Sequence, residues 1–173
     1  MNNPFELFDL AVKFEIDNAK LSSNYLALQK ALHPDNFATG TAQEQRQAMQ
    51  KSAQLNDALQ TLKDPILRAE AIIEIATGKA ENIEQKSNND IEFLMQQMQW
   101  RETLEQIEIA KNEENLTAFT AEIEQQNKEI LNQLSETLAN EQWQHAKALC
   151  DKLRFIKKLN VEIERVEEII FEL

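Results

Sequence analysis

His33 and Asp35 are side chains suited to proton work or to ion pairing, and Pro34 stands between them. An imidazole can serve as a general base when a carboxylate orients it. Catalysis of that kind needs a nucleophile, a glycine-rich phosphate loop or a metal cluster nearby. The sequence supplies none of these. His145, the other histidine, falls far along the chain in another helical segment. No enzyme is expected. The remaining chemistry is contact. A proline-stiffened turn has little freedom left to lose on binding. From such a turn Asp35 can accept a bidentate bond from a partner arginine, and His33 can donate or accept. The plain alternative is a helix stop at which both side chains are incidental.

The elements around the turn follow from spacing. Pro34 has no N–H and disfavours helical geometry at His33, so the preceding helix must end near Leu32. Asp17 is a fitting N-cap for that helix. Its apolar positions Leu21, Tyr25, Leu28 and Leu32 are spaced four, three and four, which places them on one face. Thr41-Ala42-Gln43-Glu44 has the form of a capping box, the threonine accepting from the Glu44 amide while the carboxylate reaches back. The helix it opens carries Ala48, Ser52, Leu55, Leu59 and Leu62 at helical spacing, and it pairs antiparallel with the one before. Upstream, Pro4 to Leu10 is a short apolar turn or helix. Downstream, Asp64 and Pro65 restart the chain as N-cap and first helical residue, and Gly78 ends that helix.

Residues 78–89 lack apolar periodicity and read as a connector between an N-terminal domain, 1–77, and a C-terminal domain, 90–173. Three helices are predicted beyond it, over roughly 90–111, 116–139 and 141–171, joined by short connections that make neighbours antiparallel. The last would run ~45 Å. The first of the three is apolar on two sides. Phe93, Trp100, Leu104 and Ile107 cluster on one side at 100° per residue, and Ile91, Leu94, Met95, Met98 and Ile109 on nearly the opposite one. A bundle helix needs only one apolar face. A second row, rich in methionine and flanked by Glu102, Glu105 and Gln106, has the character of a partner surface. It equally fits packing against the N-terminal domain or ordinary core.

Composition narrows the class. Hydrophobic residues make up 42% of the chain, enough for a packed core, while only two glycines and three prolines imply long helices with few turns. The fold class is all-α. Net charge is −12, divided as −3 over residues 1–77 and −9 over 78–173, which disfavours nucleic acid and anionic membrane surfaces as partners. Cys150, the single cysteine, excludes an internal disulfide and a multi-cysteine metal site, and its place on an apolar helix face makes it a core residue. No stretch approaches the ~18 apolar residues that would span a membrane, and no signal peptide is recognisable, so the expected location is cytoplasmic.

The N-terminal pattern resembles the J domain. Phe5-Glu6-Leu7-Phe8, the helix ending at Leu32, His33-Pro34-Asp35 with Phe37, the capped helix from Ala42, and Asp64-Pro65 with Arg68-Ala69-Glu70 all fall in J-domain order. Beyond it, the run from Asp90 through Leu94, Met95, Met98 and Trp100 to Glu102 is similar to the C-terminal domain of the HscB family, as is Lys152-Leu153-Arg154-Phe155. The resemblance implies a J domain followed by a three-helix bundle. It implies a co-chaperone of iron–sulfur cluster assembly that stimulates ATP hydrolysis by a DnaK-type chaperone, HscA, and delivers the scaffold protein IscU to it. It assigns His33, Pro34 and Asp35 to the chaperone. To the scaffold it assigns Leu94, Met95 and Met98 as apolar anchors, Glu102 as a polar flank and Phe155 as a rim contact. No cofactor is implied. Two features depart from the family pattern. Asn36 stands where J domains commonly have lysine, and the helix before the turn carries only Lys20 and Lys30. Gln99 and Gln106 stand where the family often has acids. The rival from another class is a helical adaptor with no link to an ATPase.

Overall fold

The computed structural model describes residues 3–78 and 90–172, and within these every α-element follows a polar cap. The expected connector at 79–89 lies outside the described residues. Among the described residues the regular structure is all helical, and no helix is long and apolar enough to cross a membrane. The chain divides into two compact units, Met1–Ala80 and Glu81–Leu173.

In the first unit, α1 (Pro4–Leu7) is opened by Asn3, whose side chain accepts from the Glu6 amide at 2.9 Å. Its short apolar run buries Phe5 and, just beyond, Phe8 completely. Helix α2 (Asn18–Leu32) starts at Asp17, which accepts from the Lys20 amide at 3.0 Å. It ends where Pro34 requires: His33 has left helical geometry at φ −60°, ψ 132°. A 3-10 turn, Pro34–Phe37, leads towards α3 (Ala42–Lys63). The capping box forms with one change from expectation. Glu44 N–H donates to Thr41 Oγ1 at 3.1 Å, but the Glu44 carboxylate accepts from the same hydroxyl, at 3.3 Å, rather than from backbone. Helices α2 and α3 pack as the predicted hairpin, and the Tyr25 hydroxyl donates to Asn56 Oδ1 across it at 2.7 Å.

Asp64 then caps α4 (Pro65–Thr77) with bonds from Ile66 and Leu67 amides, and Gly78 ends it in the left-handed region at φ 73°. Arg68 secures the corner between α3 and α4. Its Nη1 donates to Leu62 O at 2.7 Å, and its guanidinium lies 4.7 Å from the centre of the Phe14 ring. Burial lowers its pKa, and the nearby Asp64 works in the opposite direction.

The second unit is the expected three-helix bundle: α5 (Ile91–Ala110), α6 (Glu113–Ala139) and α7 (Trp143–Phe171). Asp90 and Asn112 cap the first two by accepting from the Phe93 and Asn115 amides. The periodic residues become core. Leu116, Phe119, Ile123 and Leu134 of α6 interlock with Leu149, Leu153, Ile156, Ile163 and Val166 of α7, and Trp100, Leu104 and Ile107 of α5 close the third side. Each large side chain so buried contributes about 1.5–3 kcal/mol before entropy is counted. Cys150 is fully buried, as its apolar position implies. His145 is exposed.

Candidate functional site

Two separate surfaces carry the residues singled out by sequence. The first is the tip of the α2–α3 hairpin. The Asp35 amide donates to His33 Nδ1 at 3.1 Å, so in the neutral imidazole Nδ1 is the acceptor and Nε2 bears the proton. His33 Nδ1 also lies 3.5 Å from Asp35 Oδ2. Both side chains remain open, His33 about half exposed and Asp35 almost wholly so. The Asn36 amide returns to His33 O at 2.9 Å and closes the turn. This is a small, rigid, polar projection with a donor and an anionic acceptor side by side.

Sequence reasoning noted Asn36 only as a departure from lysine. Its side chain has a structural partner that periodicity could not reveal: Nδ2 donates to Lys30 O at 2.6 Å and to Ala31 O at 3.3 Å. Gln45 was not singled out at all. Its Nε2 donates to Phe37 O and Ala38 O, both at 3.2 Å. The available signal was indirect: helix α2 must end before Pro34 with unpaired carbonyls, and an amide lies close by in sequence.

The second surface is the outer face of α5. Leu94, Met95 and Met98 are 47%, 64% and 71% exposed, with Ile91 and Ile109 beyond them at 67% and 76%. Trp100, Leu104 and Ile107, on the opposite side, are buried. The helix therefore has two apolar rows of which one is core and the other faces outward. Glu102 is exposed among the outward residues.

Phe155 corrects an expectation. The resemblance implies a rim contact for it. It is only 8% exposed. The rings of α5 cover it: Trp100 stacks on it at 6.1 Å between centroids, Phe93 meets it edge-on at 5.8 Å, and the Arg101 guanidinium lies 5.2 Å from its centre. Lys152 sits 5.6 Å from the Phe93 ring and 3.9 Å from Asp90 Oδ2. These aromatic contacts form the seam that holds α5 on α7. Phe155 is thus packed between α7 and the Phe93 and Trp100 rings of α5. Among the described residues no group of three or more His, Cys, Asp or Glu is arranged to hold a metal ion.

Comparison with known proteins places the whole chain. A family model described as the HSCB C-terminal oligomerisation domain matches residues 89–164. A co-chaperone protein HscB homolog of Pasteurella multocida is 62% identical over 166 residues, covering 96% of each chain. A co-chaperone protein HscB homolog of Haemophilus influenzae is 58% identical over 173 residues, covering 100% of this chain and 99% of that one. The solved structure of the chaperone HscB from Vibrio cholerae superposes with a TM-score of 0.91 at 45% identity, over 97% of this chain and 99% of that one. With identity this high across both units, the chain belongs to the HscB family of co-chaperones.

Proposed function

We propose that this co-chaperone stimulates ATP hydrolysis by a DnaK-type chaperone, HscA, through His33, Pro34 and Asp35, and that it carries the iron–sulfur scaffold protein IscU on the outer face of α5. The observation that carries the reading is the outward apolar row on α5, on a helix whose opposite side already supplies the core. Leu94, Met95 and Met98 anchor the scaffold, Glu102 flanks them, and Phe155 packs against the Phe93 and Trp100 rings of the same helix. The turn supplies a carboxylate for an arginine of the ATPase and a histidine donor beside it. Joining the two proteins on one chain raises their effective concentration. The chain acts by binding and performs no bond chemistry itself.

The test is steady-state ATP hydrolysis by the chaperone, with and without scaffold, as this chain is titrated in. Stimulation is expected from the chain alone and a further rise with scaffold present. His33→Gln is expected to return the rate to the chaperone's basal value. Undiminished stimulation by that variant would sink the assignment of the turn. An absence of any scaffold effect would sink the assignment of α5.

A further inference from the structure

Asn36 and Gln45 share a chemistry that apolar patterning does not require. Both are primary amides, and both give their N–H groups to backbone carbonyls beside the 3-10 turn Pro34–Phe37. Asn36 reaches back to the last turn of α2, to Lys30 O at 2.6 Å and Ala31 O at 3.3 Å. Those carbonyls belong to the group that a helix end leaves unpaired, and Pro34 prevents α2 from continuing to satisfy them. Gln45, in the first turns of α3, holds the other end of the 3-10 turn through Phe37 O and Ala38 O. The turn is therefore tied to one helix at its start and to the other at its finish.

The backbone passes close by on the α3 side. A Cβ placed on Gly40 would lie 2.9 Å from a Glu44 carboxylate oxygen and 3.2 Å from Phe37 O, the same carbonyl that Gln45 holds. The Gly40 amide also donates to Phe37 O at 2.9 Å. Glycine here lets the loop close tightly around that oxygen.

We infer that Asn36 and Gln45 are positioning residues that fix the angle at which His33-Pro34-Asp35 is offered to the ATPase. The inference rests on the function proposed above. With few cations on α2, recognition of the ATPase leans on a preformed turn more than on long-range attraction. A turn released from one tie is competent to dock only part of the time. Its apparent affinity then falls by that fraction, while the docked state is the same once reached. The signature is a rise in half-saturating concentration at constant maximal stimulation.

The experiment titrates full-length wild type, Asn36→Ala, Gln45→Ala, Asn36→Asp and His33→Gln into the chaperone ATPase assay. Each alanine variant removes the two hydrogen bonds of one side-chain amide and is expected to raise half-saturation about five-fold, with maximal stimulation unchanged. Thermal midpoints are expected to fall by about 2–4 °C, the shift that such a loss gives a chain of this size, with the protein fully folded at the assay temperature. Asn36→Asp has the same shape but only acceptors at pH 7. It is expected to shift half-saturation at least as far as the alanine variant, and to keep that shift in about 0.3 M salt, where added charge is screened. Half-saturation within about two-fold of wild type in both alanine variants would overturn the inference. So would a fall in maximal stimulation at unchanged half-saturation. In both of those outcomes His33→Gln still abolishes stimulation, so the function stands without the positioning. Intact stimulation by His33→Gln removes the function and the positioning with it.

Discussion

The hairpin tip and the outer face of α5 are built from opposite materials. The tip is polar and local, and the hydrogen bonds that hold it join residues no more than eight apart in sequence. The α5 face is apolar, and what holds it is packed behind it, on a helix that lies more than fifty residues away for Phe155. The difference separates function from stability in different ways. At the tip, the contacts that fix the turn can be removed one at a time without opening a core. On α5, residues one or two positions apart belong to opposite categories. Met98 is free of the core and Trp100 is part of it.

The largest expected effect tests that division directly. Trp100→Ala removes a buried ring from the seam with Phe155. It is expected to destabilise the protein by about 3–5 kcal/mol, read from the denaturant midpoint at constant slope. Leu94, Met95 and Met98 changed together to Ala are expected to leave that midpoint within about 1 kcal/mol, since exposed side chains contribute little to folding. If Trp100→Ala costs no more than the triple change, the inward row is not what holds α5, and the contrast between its two sides fails.

Binding should reverse the order. The same triple substitution is expected to weaken scaffold binding about a hundred-fold, roughly 1 kcal/mol for each anchor withdrawn from an interface. Isothermal titration with apo scaffold protein measures it. Unchanged affinity would mean that the scaffold docks elsewhere, and the outward row would then need another occupant.

How much of this was visible in the residues follows the same line. Caps are local chemistry, and they were legible: Asp17, Thr41 with Glu44, Asp64 with Pro65, and Gly78 all act where their types place them. Periodicity was legible too, including the surplus apolar row of α5, because 100° per residue is a property of the helix alone. What periodicity could not supply is which neighbour arrives. Phe155 lies off the main row of α7 and was expected at a rim. It is buried because Phe93 and Trp100 approach from α5, which depends on how the two helices cross. The bonds of the Asn36 and Gln45 amides were only indirectly legible, for a related reason. Their acceptors are backbone carbonyls, which carry no signature in side-chain sequence.

A smaller effect sharpens the comparison from the loop that ends α5. Lys111 adopts the left-handed region at φ 51°, which costs a residue with a Cβ about 1 kcal/mol relative to glycine. Lys111→Gly is expected to raise stability by about 0.5–1 kcal/mol, part of the gain being offset by the greater freedom of glycine in the unfolded chain. Scaffold binding should not change, because the outward row is untouched. A loss of affinity in this more stable variant would show that the end of α5 takes part in the interface.

The smallest effect concerns the charged counterpart of the aromatic seam. Arg165 of α7 donates two bonds to Glu108 of α5, at 2.9 and 3.0 Å, and a third to Glu162 at 3.2 Å. The hydrogen bonds from Arg165, aided by its charge, hold the Glu108 carboxyl below its ordinary value of 4.5 against the opposing effect of desolvation. The same contacts raise the Arg165 pKa, so the arginine stays charged throughout. A depressed carboxylate adds stability at pH values above its unfolded pKa. It loses that contribution as pH falls through the folded value. Arg165→Met should therefore lower the unfolding midpoint slightly at neutral pH, and the gap from wild type should close as pH drops below 4.5. Salt should narrow it as well, because the pair is solvent-exposed. A gap that survives both acid and salt would assign the role of Arg165 to the packing of its stem. The Arg165–Glu108 pair would then add no charge attraction to the α5–α7 seam, and the hairpin tip would rely on polar ties more than this end of the seam does.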